Sequence, residues 1–453
     1  LQNRLKNPLE FGRFISPKTD LKKQEDFSVR ETRVPQASIF ESYSEHEFGK
    51  QLKRLSDRID DFSHIILPVI EKDLVSQSVQ PVGRRVLSIE SIFRCMVLKQ
   101  MLQISYDCLS FHLTDSMSYR TFTRLPDGVY PKKSSLQMTI RGIKSETLEA
   151  IFNELSSECF ANGKLLLDTI RIDSTVVKSN ISEPNDSQLL NDGVRVLSRL
   201  LSKSREMTGI KIRFTDKRKE SKSLAFRIFN AKKAEKVTIY PKLLHVVEIV
   251  LKQVGRALGK VKLESVDCVL QRKWMTQVEY YRDLLLKVVD QTVRRVIYEE
   301  SVPSSEKIVS LFESHTDIIV KGPRDAEYGH KVNLSSDKNG FISYLSIEDG
   351  NPSDAERFIP IIHGHLNCYK EVSKSVVSDG CYASLANVCE GRALGIQHVV
   401  FHKKRGISLL AMGVKRKTFT RLKNFRAGIE GNISELKRAF GVSKAKWKGC
   451  SVY

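Results

Sequence analysis

The chain has 453 residues, with 74 Lys and Arg against 53 Asp and Glu and a formal net charge of +21. At 41% hydrophobic and 28% charged residues, it is excluded from the disordered, collagen-like and coiled-coil classes and is long enough for roughly two to three domains. The excess of cations favours a polyanionic partner, because each one set on a phosphate releases a condensed counterion. Nucleic acid leads that class, with an acidic membrane surface and a charge that serves solubility alone as the alternatives. Apolar runs such as Ile65-Ile66-Leu67-Pro68-Val69-Ile70 fall well short of the roughly 18 residues of a membrane span, so a soluble protein with no membrane partner is expected. The start, Leu1-Gln2-Asn3-Arg4, carries no basic-then-apolar leader, and the eight Cys include no CxxC pair. Both features read as a cytoplasmic chain with reduced thiols.

Residues 1–45 are polar, without a sustained period, and read as an N-terminal arm. From 46 to 157 the pattern is helical. Ser88 opens an apolar helix through Leu102, and Ser134-Ser135-Leu136-Gln137 has the spacing of a second helix start. Short helices with tight turns and the basic residues Arg120, Arg124, Lys132, Lys133, Arg141 and Lys144 fit a helical DNA-binding domain, as they would any small bundle. The period then changes: Lys164 to Val177 is rich in β-branched residues and reads as a strand. Residues 184–325 return to a basic helical pattern. Strands follow at Tyr328–Ser336 and Phe341–Glu348, joined through Asp337-Lys338-Asn339-Gly340, whose Asn-Gly is a hairpin signal. A helix near 353–372, a strand ending Ser378-Asp379-Gly380, a helix, a strand near Gln397–His402 and a long basic helix complete the order.

With 184–325 set aside, the order is strand, hairpin, helix, strand, helix, strand, helix. The expected fold is therefore α/β (α+β): a ribonuclease-H-like mixed sheet formed by 158–183 and 326–453, interrupted by the helical insertion 184–325 and preceded by an all-α domain at 46–157. Asp173 lies on the first strand and Asp379 at the end of the fourth, which would be neighbours in such a sheet. Two carboxylates there would repel unless they shared divalent cations. Glu430 is the candidate for a third. Arg426, Glu430 and Lys437 are spaced four and seven residues apart and so share one helical face. A salt-bridged solvent-facing helix is the plainer reading of the same spacing.

Taken together, these residues resemble the DDE motifs of bacterial insertion-sequence transposases. The motifs are Asp173-Ser174-Thr175-Val176-Val177, Ser378-Asp379-Gly380-Cys381-Tyr382-Ala383 and Arg426-x3-Glu430-x6-Lys437. The resemblance extends from about residue 85 onward and takes in Asn185–Gly193, Tyr328-Gly329-His330-Lys331-Val332, Glu348–Asp354 and Lys403-Lys404-Arg405-Gly406. It implies that Asp173, Asp379 and Glu430 are catalytic and ligate two Mg2+ or Mn2+ ions. It further implies that Arg426, Lys437, Lys423, Lys403, Lys404 and Arg405 contact DNA. Lys423 stands where the related pattern has Tyr, so no base stacking is expected there. The chain lacks an initial Met, and it stops at Cys450-Ser451-Val452-Tyr453 where the pattern continues in another apolar segment; the resemblance reads this as a shortened, impaired copy.

The implied function is metal-dependent DNA cleavage followed by strand transfer, in a prokaryotic, nucleoid-associated protein. The helical N-terminal domain would bind terminal inverted repeats, the insertion would contact backbone, and two copies would hold two DNA ends. The rivals are a DNA-binding protein without catalysis and a ribonuclease-H-like nuclease without strand transfer. Gly255–Lys260 is one residue short of a phosphate-binding loop. His363, His365 and Cys368 lie on a helix at spacings that do not converge. Asp168, Asp186, Asp192 and Asp354 read as caps, turns or supporting carboxylates, and Trp274 as core.

Overall fold

A computed structural model describes residues 32–33, 43–75, 87–263, 268–320, 325–403 and 406–447. The molecule is mixed α/β and rich in helix. Among the described residues, seven helices come first: α1 (Glu47–Asp61), α2 (Ser63–Val75), α3 (Ile89–Leu102), α4 (Tyr106–Asp115), α5 (Met117–Thr123), α6 (Lys133–Ile140) and α7 (Ser145–Ala161). Ser88, Ser105 and Ser116 cap α3, α4 and α5, each accepting from a backbone N–H three residues on. Capping in this way satisfies one of the orphan donors at a helix start. Helix α6 differs from expectation. It begins at Lys133 with no side-chain cap, so Ser134 lies inside the first turn.

Helix α3 is buried along most of its length, with Ile89, Ile92, Cys95 and Leu98 fully enclosed. Its polar residues are satisfied internally. Glu90, 1% exposed, meets Arg33, Arg94 and Arg124, and the same three arginines reach Asp60. Arg120 donates to the carbonyls of Leu113, Pro126 and Val129. Two of the six basic residues noted in this segment, Arg120 and Arg124, therefore hold the helical unit together.

After β1 (Thr169–Lys178) the chain leaves the sheet for α8 (Asp186–Ser202), α9 (Ser204–Thr208), α10 (Arg218–Asn230), α11 (Lys233–Leu263) and α12 (Val269–Thr292), ending in a π-helical turn at Val293–Ile297. These helices share their own apolar core around Trp274, whose indole donates to the Leu200 carbonyl at 2.8 Å. At its base, Asp186 accepts from Gln291 and pairs with Arg295 at 2.9 Å each. Gly255 to Lys260 lie in regular helix near the C-terminal end of α11, and form no phosphate-binding loop. The stretch expected to stay helical to 325 does not. It contains β2 (Asp317–Ile319), a strand too short to announce itself by alternation.

The rest is β3 (Glu327–Ser336), β4 (Ile342–Ile347), α13 (Asp354–Tyr369), β5 (Ser375–Ser378), α14 (Leu385–Ala393), β6 (His398–Phe401) and α15 (Arg416–Arg438). One sheet has the order β2-β3-β1-β5-β6, with β4 beside β2 on the outer edge of β3. β1 pairs antiparallel with β3 and parallel with β5, and β5 pairs parallel with β6. The hairpin between β3 and β4 turns on Asp337, whose Oδ1 accepts from Asn339 and Phe341, while Gly340 takes φ +88°. Asn339 is absent from the left-handed region, so an aspartate turn plus one glycine replaces the two-residue Asn-Gly turn.

Both faces of the sheet's centre are covered, which explains why β5 and β6 read as continuous apolar runs. Ile170, Ile172, Val376 and Val399 face α13 and α14. Val377 and Val400 face the opposite way, into a smaller cluster with Leu422 of α15. Beyond α15, the chain adds Lys444 alongside Lys178 and lays Trp447 against α3, its indole donating to Gln100 and its ring under Lys99 Nζ at 3.8 Å. No helix among the described residues is long and apolar enough to cross a membrane.

Candidate active site

Asp173 and Asp379 are brought together by strand register. Ile172 of β1 is the partner of Ser378 of β5 in the parallel pair, so the next residues along are neighbours where that pairing ends: Asp379 lies just past β5, while Asp173 is inside β1 and still paired with Leu334 of β3. Alternation decides their face. Ile172 points to the α13 side, so Asp173 points to α15. Val377 points to α15, and the extended backbone at Asp379 (φ −71°, ψ 164°) carries that parity on.

Helix α15 crosses this face, packing on β1, β3, β5 and β6. It brings Arg426 and Glu430, four residues apart on one side. Arg426 Nη2 lies 2.5 Å from Asp173 Oδ2, and Nη1 lies 2.5 Å from Glu430 Oε1. The arginine and Asp173 are mostly buried, at 11% and 15% side-chain exposure, while Glu430 is 66% exposed. One guanidinium thus joins two of the three carboxylates singled out in the sequence.

The helix is seated by residues that no motif singled out. Arg171, two positions before Asp173 and on the same face, is buried. It donates to Ser336 Oγ at 2.8 Å, to the Phe425 carbonyl at 3.2 Å and to Asn432 Oδ1 at 2.9 Å, and its guanidinium lies over the Phe425 ring. Asn432 in turn donates to the Gly340 carbonyl, tying α15 to the β3–β4 hairpin. The one signal in the sequence was a cation inside a strand, between Ile170 and Ile172.

The other side of Asp173 is a buried polar layer. Tyr382, just past Asp379, donates to Asn333 Oδ1 at 2.7 Å; Asn333 donates to Glu348, which pairs with Arg357 at 2.7 Å. Burial, reinforced by the charges of Asp354 and Asp173, pushes the Tyr382 phenol well above its ordinary value, so it stays a neutral donor.

Of the basic candidates, Lys403 follows β6, and its stem lies against Gly380, where any Cβ would collide with it. That places Lys403 beside Asp379. Lys423 is exposed and Lys437 half-buried on α15. Lys404 and Arg405 lie outside the described residues, as does the chain end from 448 onward and nearly all of the polar arm.

The other carboxylates have structural partners: Asp168 with Lys374, Asp186 with Arg295, Asp192 with Arg195 and Asp354 with Lys331. His365 bonds Ser335 Oγ at 2.7 Å, and Cys368 meets Ser157. Among the described residues no three His, Cys, Asp or Glu side chains already surround a common metal position. In donor type, Asp173, Asp379 and Glu430 suit a hard divalent cation, and a cationic group already sits between two of them. The chain matches no family model, no curated protein and no solved structure.

Proposed function

We propose that this protein is a DNA transposase of the DDE type, with Asp173, Asp379 and Glu430 as its metal-holding carboxylates. The observation that carries the reading is register: Asp173, inside β1, and Asp379, just past the end of β5, follow the last paired rung of two parallel strands, beneath a helix that carries a glutamate. The strand order β4-β3-β1-β5-β6, antiparallel on one flank of β1 and parallel on the other, supports a ribonuclease-H-like sheet, with α8 to α12 as its insertion.

Bound Mg2+ or Mn2+, two ions in this reading, would activate the attacking oxygen and stabilise charge on the leaving one. The chain's own residues do the rest. Asp173 and Asp379 would hold the ions at the sheet and Glu430 would add a ligand from α15, while Tyr382 and Asn333 support the Asp173 region from beneath. Arg426, Lys403, Lys423 and Lys437 line the approach with positive charge that meets the DNA phosphates. The helical insertion adds a second basic surface, since Lys217 to Lys262 carries thirteen Lys and Arg against three Glu. Two copies would pair two DNA ends in the prokaryotic cytoplasm, at the nucleoid.

The deciding experiment is incubation of the full chain with linear duplex DNA carrying the sequences that flank its gene, in Mg2+ and in Mn2+. Nicked and joined products that disappear in Asp173→Asn, Asp379→Asn and Glu430→Gln support the reading. Binding without nicking in both metals overturns it, and hydrolysis without joining reduces it to a nuclease.

A further inference from the structure

Arg426 has two incompatible roles. As a phosphate contact it must reach outward to DNA, yet its guanidinium is held between Asp173 and Glu430, with one nitrogen on each carboxylate. Both contacts are charge-assisted, and the Asp173 contact is largely sheltered from water, which strengthens it relative to a surface pair. We propose that Arg426 is the element that couples metal loading to DNA binding. In the free protein its guanidinium competes with a divalent cation for Asp173 and Glu430; when DNA arrives, a phosphate takes the guanidinium and releases the two carboxylates. This inference rests on the reading of Asp173, Asp379 and Glu430 as the metal site.

Several features of the geometry favour exchange over a permanent pair. Glu430 is 66% exposed, so that half of the bridge breaks at little cost in desolvation. Arg426 Nε has no hydrogen-bond partner among the described residues, so the side chain is held at its tip alone. The support of α15 does not depend on it, because Arg171, Phe425 and Asn432 seat the helix separately. Rotating Arg426 outward therefore leaves the helix and Glu430 in place. Competition of this kind is reciprocal: whatever factor DNA adds to metal affinity, metal adds to DNA affinity. Couplings of this type are usually about 5- to 150-fold. The consequence is a site that fills with metal mainly when DNA is present, which limits stray cleavage chemistry in the free protein.

The test measures Mn2+ binding to the full-length protein by calorimetry and by the paramagnetic signal of free Mn2+, with and without a short random-sequence duplex. Wild type is expected to bind Mn2+ weakly alone and about 5- to 150-fold more tightly with DNA. Arg426→Gln is expected to bind Mn2+ more tightly than wild type without DNA and to lose most of the enhancement that DNA brings. Arg426→Lys, a point charge that cannot span both carboxylates, should fall between them. Circular dichroism confirms that each variant is folded. If Arg426→Gln binds Mn2+ no better than wild type and keeps the full enhancement by DNA, the coupling role is wrong. If wild type with DNA shows no Mn2+ binding that Asp379→Asn removes, the underlying metal site is wrong instead; the arginine bridges Asp173 and Glu430 and leaves Asp379 out, so the two failures are separate.

Discussion

A Cβ on Gly428 would occupy the space held by the guanidinium of Arg171. The helix that carries Arg426 and Glu430 can lie down on β1 because this position lacks a side chain, and the buried cation beneath it is pinned by Ser336, the Phe425 carbonyl and Asn432. Gly428→Ala must lift α15 or displace Arg171. It should cost about 1–3 kcal/mol in denaturant unfolding and reduce metal-dependent cleavage further than that loss accounts for. Gly431, three residues on, has nothing within 4 Å of a Cβ. Gly431→Ala should therefore be neutral or up to about 1 kcal/mol stabilising, from helix propensity alone.

The helical N-terminal unit depends on a buried ion network, and removing one member leaves the others uncompensated. Burial by itself would raise Glu90, yet the Arg33 hydrogen bond and the charges of Arg94 and Arg124 outweigh it and hold the carboxylate below its ordinary value. Its contribution is thus fully present above the unfolded value near 4.5 and lost as pH falls below it. Glu90→Gln should lower stability by roughly 3–5 kcal/mol at neutral pH and shrink the drop in melting temperature on acidification below that value.

A second acid-sensitive group sits under the sheet. His365 is enclosed at 3% exposure against Ser335, and burial pushes its imidazole down to about 4. A group depressed in the folded state stabilises above its unfolded value and ceases to do so as pH falls through the folded one. The window is therefore from the ordinary value of 6.5 down to about 4. Across it wild type should lose on the order of 3 kcal/mol from this residue. His365→Gln should show a flatter profile between those limits, read by thermal unfolding at a series of pH values.

The α10–α11 hairpin should account for much of the salt dependence of DNA binding. Lys219, Lys222, Arg227 and Lys233 are all exposed there. Replacing the four with Gln should weaken duplex binding at low salt and reduce the slope of log affinity against log salt by roughly 0.9 for each phosphate no longer neutralised. A slope unchanged from wild type, measured by fluorescence anisotropy across a salt series, would place the DNA elsewhere.

Local chemistry made much of this molecule readable from its residues. Ser88 before an apolar run opens a helix because a short side-chain oxygen satisfies a free backbone N–H, whatever lies around it. The β-branched stretch ending in Val177 becomes β1, and Asp173 inside it and Asp379 just past β5 stand out because carboxylates on or beside buried strands are costly without a partner. Parity along each strand then follows from the two-residue period. Where propensity was weak or the decisive partner distant, the residues were silent. β2, at three residues, is a strand because β3 offers it an open edge, and Ser134 has no capping role because α6 begins one residue earlier. Arg120 and Arg124 counted only as basic residues of a helical unit, and their partners were not legible: Arg120 is held by carbonyls and Arg124 by Glu90 and Asp60. Which residues stand out as carriers of chemistry, and which elements they ride on, could be read along the chain because both depend on neighbours a few positions away. That Arg426 spans Asp173 and Glu430, and that Arg171 fits the notch at Gly428, emerged with the packing of α15 on the sheet. Arg426 to Glu430 is a local four-residue step, but Arg426 to Asp173 and Arg171 to α15 join residues more than 250 positions apart, and no local preference specifies those.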